Sequence, residues 1–216
     1  MNYDFLSNNK VYLCGEVATT AKFSHEIYGE GFYELNLSIK RLSGYLDVIP
    51  ITISERLLEG DKFAVGKTVA IKGQFRSYNK VIDNKSRLLL TVFVREVVEV
   101  DEKQNPNVVE ILGYVCKPPI FRMTPFNREI CDVLLAVNRA YNKSDYLPCI
   151  AWGRNARFIK SLGIGERVVV TGRIQSREYQ KHTDDGDIVK TAYEISICKI
   201  ESSRGNQECV NGIVEM

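Results

Sequence analysis

The chain has one tryptophan, Trp152, and two histidines, His25 and His182, in 216 residues, and none of its six cysteines forms a Cys-x-x-Cys pair. A zinc site needs ligands in closer array, and a catalytic cysteine needs a histidine beside it. Cys14, Cys116, Cys131, Cys149, Cys198 and Cys209 are therefore expected to be free thiols, mostly buried, in a reducing compartment. No apolar run approaches the roughly 18 residues that span a bilayer. The opening stretch Met1–Phe5 has neither the basic region nor the apolar stretch of a secretion signal, so a cytoplasmic protein is expected. A glycine-rich phosphate loop, a metal-ligand cluster and a nucleophile–histidine pair are also missing, which predicts no enzyme, no cofactor and no metal. Asp184, Asp185 and Asp187 form the only acidic cluster, and with Gly186 they read as a hairpin turn.

What is present is ordinary in bulk and uneven in detail. Apolar residues make up 44% and charged residues 26%, as in globular proteins generally. The net charge of +2 divides unequally. Residues 1–102 carry 13 Lys and Arg against 14 Asp and Glu, whereas residues 103–203 carry 15 against 11. If the partner is a polyanion, the second half is the one to meet it.

The length falls between one domain and two, and an internal repeat decides which. Asn9-x-Val11-x-Leu13-x-Gly15-x-Val17 returns at an offset of 98 as Asn107-x-Val109-x-Ile111-x-Gly113-x-Val115. Phe23 matches Phe121, and residues 32–41 match 130–139. Three extra residues are then expected in a loop, so that Tyr45-Leu46 answers Tyr146-Leu147. Gly66-x-x-Val69-x-x-x-Gly73 answers Gly165-x-x-Val168-x-x-x-Gly172. Alternation predicts first, second and third strands over 109–115, 129–138 and 146–152. A short helix opens at Gly153 with Ala156, Ile159 and Leu162 on one side, and strands follow over 168–175 and 192–200. In the first copy Ser54 is the expected helix cap before residues 55–58. The fold expected is all-β: two tandem five-stranded OB barrels over 1–102 and 105–203, each with a short helix between strands 3 and 4, and a short flexible tail over 204–216.

Leu135-Ala136-Val137-Asn138-Arg139, then Ala151-Trp152-Gly153-Arg154-x-Ala156, then Gly172-Arg173-Ile174-Gln175-Ser176-Arg177-x-Tyr179 resembles the bacterial single-stranded DNA-binding (SSB) proteins. The resemblance spans nearly all of residues 107–200; the first copy joins it only through the repeat. It implies binding of single-stranded DNA in replication, recombination or repair, and it places Tyr146, Trp152 and Tyr179 where the family stacks bases. Non-specific strand binding needs such aromatic faces beside a basic groove. Arg139, Arg154, Arg173 and Arg177 lie on or beside the same strands. Tyr146 and Trp152 are six apart, so one strand presents both to one face, and Arg173, Gln175 and Arg177 alternate likewise. Lys143, Arg122 and Arg128 fall in loops.

Each residue also has a bland use. Trp152 fits a barrel core, the tyrosines fit a core edge, and Arg139 fits an ion pair with Asp132 or Asp145. In the first copy Tyr45 holds the place of Tyr146, Ile51 that of Trp152, Tyr78 that of Arg177 and Lys80 that of Tyr179. With Arg41 and Arg76 these complete the candidate DNA contacts, and the first copy is expected to bind the more weakly. The family's acidic tail is absent here, which puts recruitment of replication and repair proteins by that device in doubt. Because family members assemble four barrels, the resemblance implies a homodimer, without membrane contact and associated with the nucleoid. Two alternatives stay open: a primosome-type OB protein acting through protein partners, and an RNA-binding barrel pair.

Overall fold

The computed structural model describes residues 8–82, 85–183 and 186–202, with side chains for all of these except 80–82, 85–87 and 181–183. The first half supplies β1 (Asn9–Val17), β2 (Lys22–Ile27), β3 (Glu30–Lys40), β4 (Leu46–Ser54), β5 (Thr68–Ile82) and β6 (Lys85–Val98). The second supplies β7 (Asn107–Val115), β8 (Ile120–Met123), β9 (Glu129–Asn138), β10 (Ser144–Trp152), α1 (Gly153–Lys160), β11 (Arg167–Thr183) and β12 (Gly186–Ser202). The strands form where apolar residues alternate. In β7, Val109, Ile111 and Val115 are buried while Glu110 faces out. In β9, Val133, Leu135 and Val137 are buried with half-buried residues between them.

Pairing closes each half on itself. β1 pairs with β3 and β5, β3 with β4, β4 with β6 in parallel, and β6 with β5. The second half repeats the circuit with β7, β9, β10, β12 and β11. The chain is all-β as expected; each circuit has five strands, and each half adds a sixth, β2 or β8, paired only to β3 or β9. These two short strands are almost wholly exposed, so they lack the alternation that marks the others. The shared glycines have a steric cause. A Cβ at Gly73 would lie 2.3 Å from the Phe93 carbonyl oxygen, and one at Gly172 2.2 Å from that of Ser196, where each long hairpin slips register.

The helix between the third and fourth barrel strands differs between the copies. In the second half α1 buries Ala156 and Ile159. In the first, Ser54 does cap, accepting the Arg56 N–H at 3.2 Å, but the chain beyond it forms a 3₁₀ turn over Glu55–Leu57 and another over Gly60–Phe63. Gly60, at φ +62°, turns the chain before an α-helix can form.

The two barrels share a seam. β1 and β7 pair antiparallel from Asn9 opposite Ile111 to Leu13 opposite Asn107, with Val11 opposite Val109 at the centre. Val11 and Val109 are equivalent in the repeat, so a local two-fold axis passes between them. A strand contact of this kind is self-complementary, as in a symmetric dimer. The axis carries further reciprocal bonds. Asp47 accepts the Ser176 N–H at 2.7 Å, and Asp145 accepts that of Ser77 at 2.8 Å. The Val48 N–H donates to Ser176 Oγ, and the Tyr146 N–H to Ser77 Oγ.

This symmetry corrects the expected alignment of the third strand. Asp47 lies opposite Ile39 and Asp145 opposite Val137, so the offset of 98 runs on with no insertion. The position of Tyr146 is held by Val48 and that of Trp152 by Ser54. Tyr45, whose carbonyl accepts the Arg41 N–H, stands where Lys143 accepts from Arg139.

The thiols differ from expectation in part: Cys131 and Cys149 are buried, Cys14 and Cys116 half-buried and Cys198 exposed. Burial pushes the Cys149 thiol well up from its ordinary value. Cys209, Asp184, Asp185 and the tail over 204–216 lie outside the described residues. Among those described, no helix is long and apolar enough to cross a membrane.

Candidate nucleic-acid interface

The outward positions of β10 carry Tyr146 and Trp152, 45% and 43% exposed, while Asp145, Leu147, Cys149 and Ala151 face in. Each residue is close to half exposed, which suits a stacking platform better than a core residue. Along β11, Arg177 and Tyr179 are exposed, with the Arg177 guanidinium 6.0 Å from the centre of the Tyr179 ring and 4.0 Å from Glu194.

These two strands are not neighbours. β12 lies between them in the barrel. The outer part of β11 instead leans on β4 of the other barrel, as the Val48–Ser176 bond shows, and β5 leans on β10 in return. Tyr179 therefore lies in a cleft of about 390 Å³ with residues of both copies: Tyr78, Pro50, Leu88 and Leu90 from the first, Tyr193 from the second. The Tyr78 hydroxyl reaches Glu34 Oε1 at 3.4 Å, and burial, with the Glu34 charge adding to it, raises its pKa. Because Ser77 holds the Tyr146 backbone, the aromatic positions run from Trp152 through Tyr146 to Tyr78 and Tyr179, across the seam.

Several of the candidate arginines serve the structure. Arg41 grips Asp47 through Nε at 2.6 Å and Nη2 at 2.5 Å, and this hydrogen bonding raises its pKa further. Arg139 pairs with Asp145 at 3.2 Å, one of the two partners the sequence offered, and Arg122 takes the other, Asp132, at 2.8 Å. Both aspartates at the seam are buried, and burial raises the Asp145 pKa against the pull of the Ser77 N–H and two arginines. Arg154, in the first turn of α1, and Lys143, in the turn before β10, are exposed. Tyr45 is exposed beneath the Arg41 guanidinium, 4.6 Å from its ring centre. Arg173 lines a recess with Arg41 and Lys103, and its buried Nε has no hydrogen-bond partner. Lys80 pairs with Arg87 through its backbone, and its side chain lies outside the described ones.

Sequence reasoning missed Arg95, Phe93, Tyr141 and Tyr193. Arg76 and Arg95 flank the Phe93 ring, their guanidinium carbons 4.2 and 5.1 Å from its centre. Tyr141 is 94% exposed at the tip of the β9–β10 turn, at φ +60°. Its only sequence signal was an aromatic followed by asparagine in a loop.

Known proteins resemble this chain in both sequence and fold. Residues 106–203 match the model of the single-strand binding protein family. Single-stranded DNA-binding protein A of Bacillus subtilis is 28% identical over 106 residues, 46% of this chain; the chain spans 62% of that relative's length. Wild-type single-stranded DNA binding protein from Thermus aquaticus superposes with a TM-score of 0.71 at 18% identity, covering 96% of each chain, so the shared fold extends to both halves. The N-terminal domain of PriB protein from Thermoanaerobacter tencongensis is 49% identical, covering 44% of this chain and 100% of that one, with a TM-score of 0.38. The sequence match to the single-strand binding protein family thus falls on the second half of the chain, residues 106–203.

Proposed function

We propose that the chain binds single-stranded DNA without regard to sequence and covers exposed strands during replication, recombination or repair. The carrying observation is the row of half-exposed aromatic residues, Trp152, Tyr146, Tyr78 and Tyr179, that passes from one barrel to the other. Every base has a face to stack, so such a row holds a strand whatever its sequence, at about 1–3 kcal/mol per base. Arg154 and Arg177 stand beside it as exposed cations for the phosphates. This reading involves no catalytic step, metal or cofactor.

The domains in this reading are two OB barrels, over 1–102 and 105–203, and two chains pair to give four of them in the cytoplasm, on the nucleoid. Light scattering after gel filtration tests the assembly, with twice the chain mass expected; a lone monomer removes it.

A titration of Trp152 fluorescence with dT oligomers at two salt concentrations tests the function itself. Strong quenching is expected, with affinity falling as salt rises and counterions compete for the phosphates. A weak, salt-insensitive response favours a surface for protein partners instead, as in the primosome-type alternative. Preference for rU over dT of equal length redirects the reading to RNA.

A further inference from the structure

Next to the aromatic row lies a recess of about 220 Å³ that neither copy builds alone. Its walls are β5 and β6 of the first barrel and the β9–β10 turn of the second. Arg76, Arg95, Arg139 and Lys143 all line it, and Asp145 is the one carboxylate among its lining residues. That carboxylate is engaged on one oxygen, Oδ1 accepting from Ser77 N–H and Arg139 Nη1, while Oδ2 is buried without a partner. Arg76 Nη2 donates to Gln74 Oε1 at 2.8 Å, and Arg95 Nη2 reaches the same oxygen at 3.5 Å. Two guanidiniums thus share one neutral acceptor, and Arg76 Nε is buried with no partner at all. Burial first, then the charges of Arg139 and Arg95, lower the Arg76 pKa to about 10. Four cations around a single carboxylate describe a site short of an oxyanion.

The recess related to it by the local axis is also cationic, lined by Lys40, Arg41, Lys103 and Arg173, with Arg173 Nε buried and unpartnered. There Arg41 is saturated by both Asp47 oxygens and the Ser176 carbonyl. Gln175, standing where Arg76 stands, donates to Glu194 at 2.8 Å. The recess beside Asp145 differs in carrying Arg76 where its counterpart has Gln175, and in a carboxylate that Arg139 holds by one bond only.

We propose that the recess formed by Arg76, Arg95, Arg139 and Lys143 holds a backbone phosphate of the bound strand as it crosses from one barrel to the other. The first copy then contributes to binding through charge at the seam, although it is the more acidic copy overall. This rests on the proposed function and deepens it. A phosphodiester supplies acceptors for the guanidiniums and the Lys143 ammonium that line the recess.

The test uses the full chain, dT oligomers long enough to reach both barrels, and Trp152 quenching over a salt series. Arg76→Gln/Arg95→Gln is expected to weaken affinity about 5- to 10-fold at low salt and to reduce the slope of log affinity against log salt by about 0.7 for each phosphate no longer neutralised. The maximal quench stays unchanged, because the Trp152 platform is untouched. Since Arg76 and Arg95 also pack on Phe93, Lys143→Gln in the exposed turn is the second variant, with a smaller loss of the same sign. An unchanged slope in variants that still quench overturns the recess and leaves strand binding intact. Failure of the wild-type chain to bind dT removes the proposed function, and this role with it.

Discussion

Asp47 and Asp145 occupy equivalent positions at the seam, and each receives a backbone N–H from the opposite barrel, yet their surroundings differ. Asp47 is closed on both oxygens by Arg41, whose guanidinium also donates to the Ser176 carbonyl. Asp145 receives a single, longer bond from Arg139, and its Oδ2 is buried with no partner. One aspartate of the seam is thus clasped on both oxygens, and the other on one only. Asp47→Ala leaves a buried N–H and a part-buried guanidinium without a partner, at a cost of about 3 kcal/mol. Asp145→Ala removes a carboxylate already poorly satisfied and costs about half as much. Urea denaturation of both variants reads the difference; equal losses would show that the clasps are equivalent after all.

The same comparison bears on the stacking surface. Trp152 closes β10 as the residue before α1, and its structural twin Ser54 closes β4 as the cap of a 3₁₀ turn. Trp152→Ser gives the second barrel the first barrel's residue. It is expected to weaken dT binding by about 2 kcal/mol with little change in stability, since the indole is half-exposed. Because Trp152 is the reporter elsewhere, fluorescence anisotropy of a labelled oligomer is the measurement here. Tyr78 and Tyr179 line one cleft, so alanine at either should cost a similar and smaller amount, about 1 kcal/mol. The sequence points the other way, toward a much weaker first copy. A loss confined to Tyr179→Ala in the same assay would return the binding to the second barrel.

The repeat, the alternating strands and the exposed residues of β10 were legible because each is a local pattern: a period, a spacing, a parity. The register of β4 was not, since the Tyr-Leu pair at 45–46 imitates the one at 146–147 by letter alone. A physical signal was present: Arg41 and Asp47 stand six residues apart, as do Arg139 and Asp145. The burial of those aspartates fixes the strand more firmly than an exposed tyrosine does. The exchange of hairpins between barrels left no local trace. Ser77 and Ser176 look like any small polar residues in a strand, and only the partner barrel gives them a role. For that reason the sequence assigns Tyr179 to one barrel when it faces both, and gives no weight to Arg95 beside a phenylalanine.

The smallest expected effect separates charge from packing in the first copy. Arg76→Gln installs the residue found at the equivalent position, Gln175, and relieves the crowding around Arg95 and Arg139. Without DNA the variant is expected to be more stable than the wild type at pH 7 and low salt, by about 0.5 kcal/mol, because part exposure lets water screen the repulsion. The pH dependence has a definite sign. The folded chain holds Arg76 at about 10 against an ordinary 12.5, so the unfolded chain binds the proton more firmly. Wild-type stability therefore gains relative to the variant as pH rises through 10, and the gap between their melting temperatures should narrow from pH 8 to pH 11. Added salt should narrow it at pH 7 for the same electrostatic reason. A variant less stable than the wild type at every salt and pH would mean that Arg76 is held for its contact with Phe93, and that its cationic neighbours cost the fold nothing.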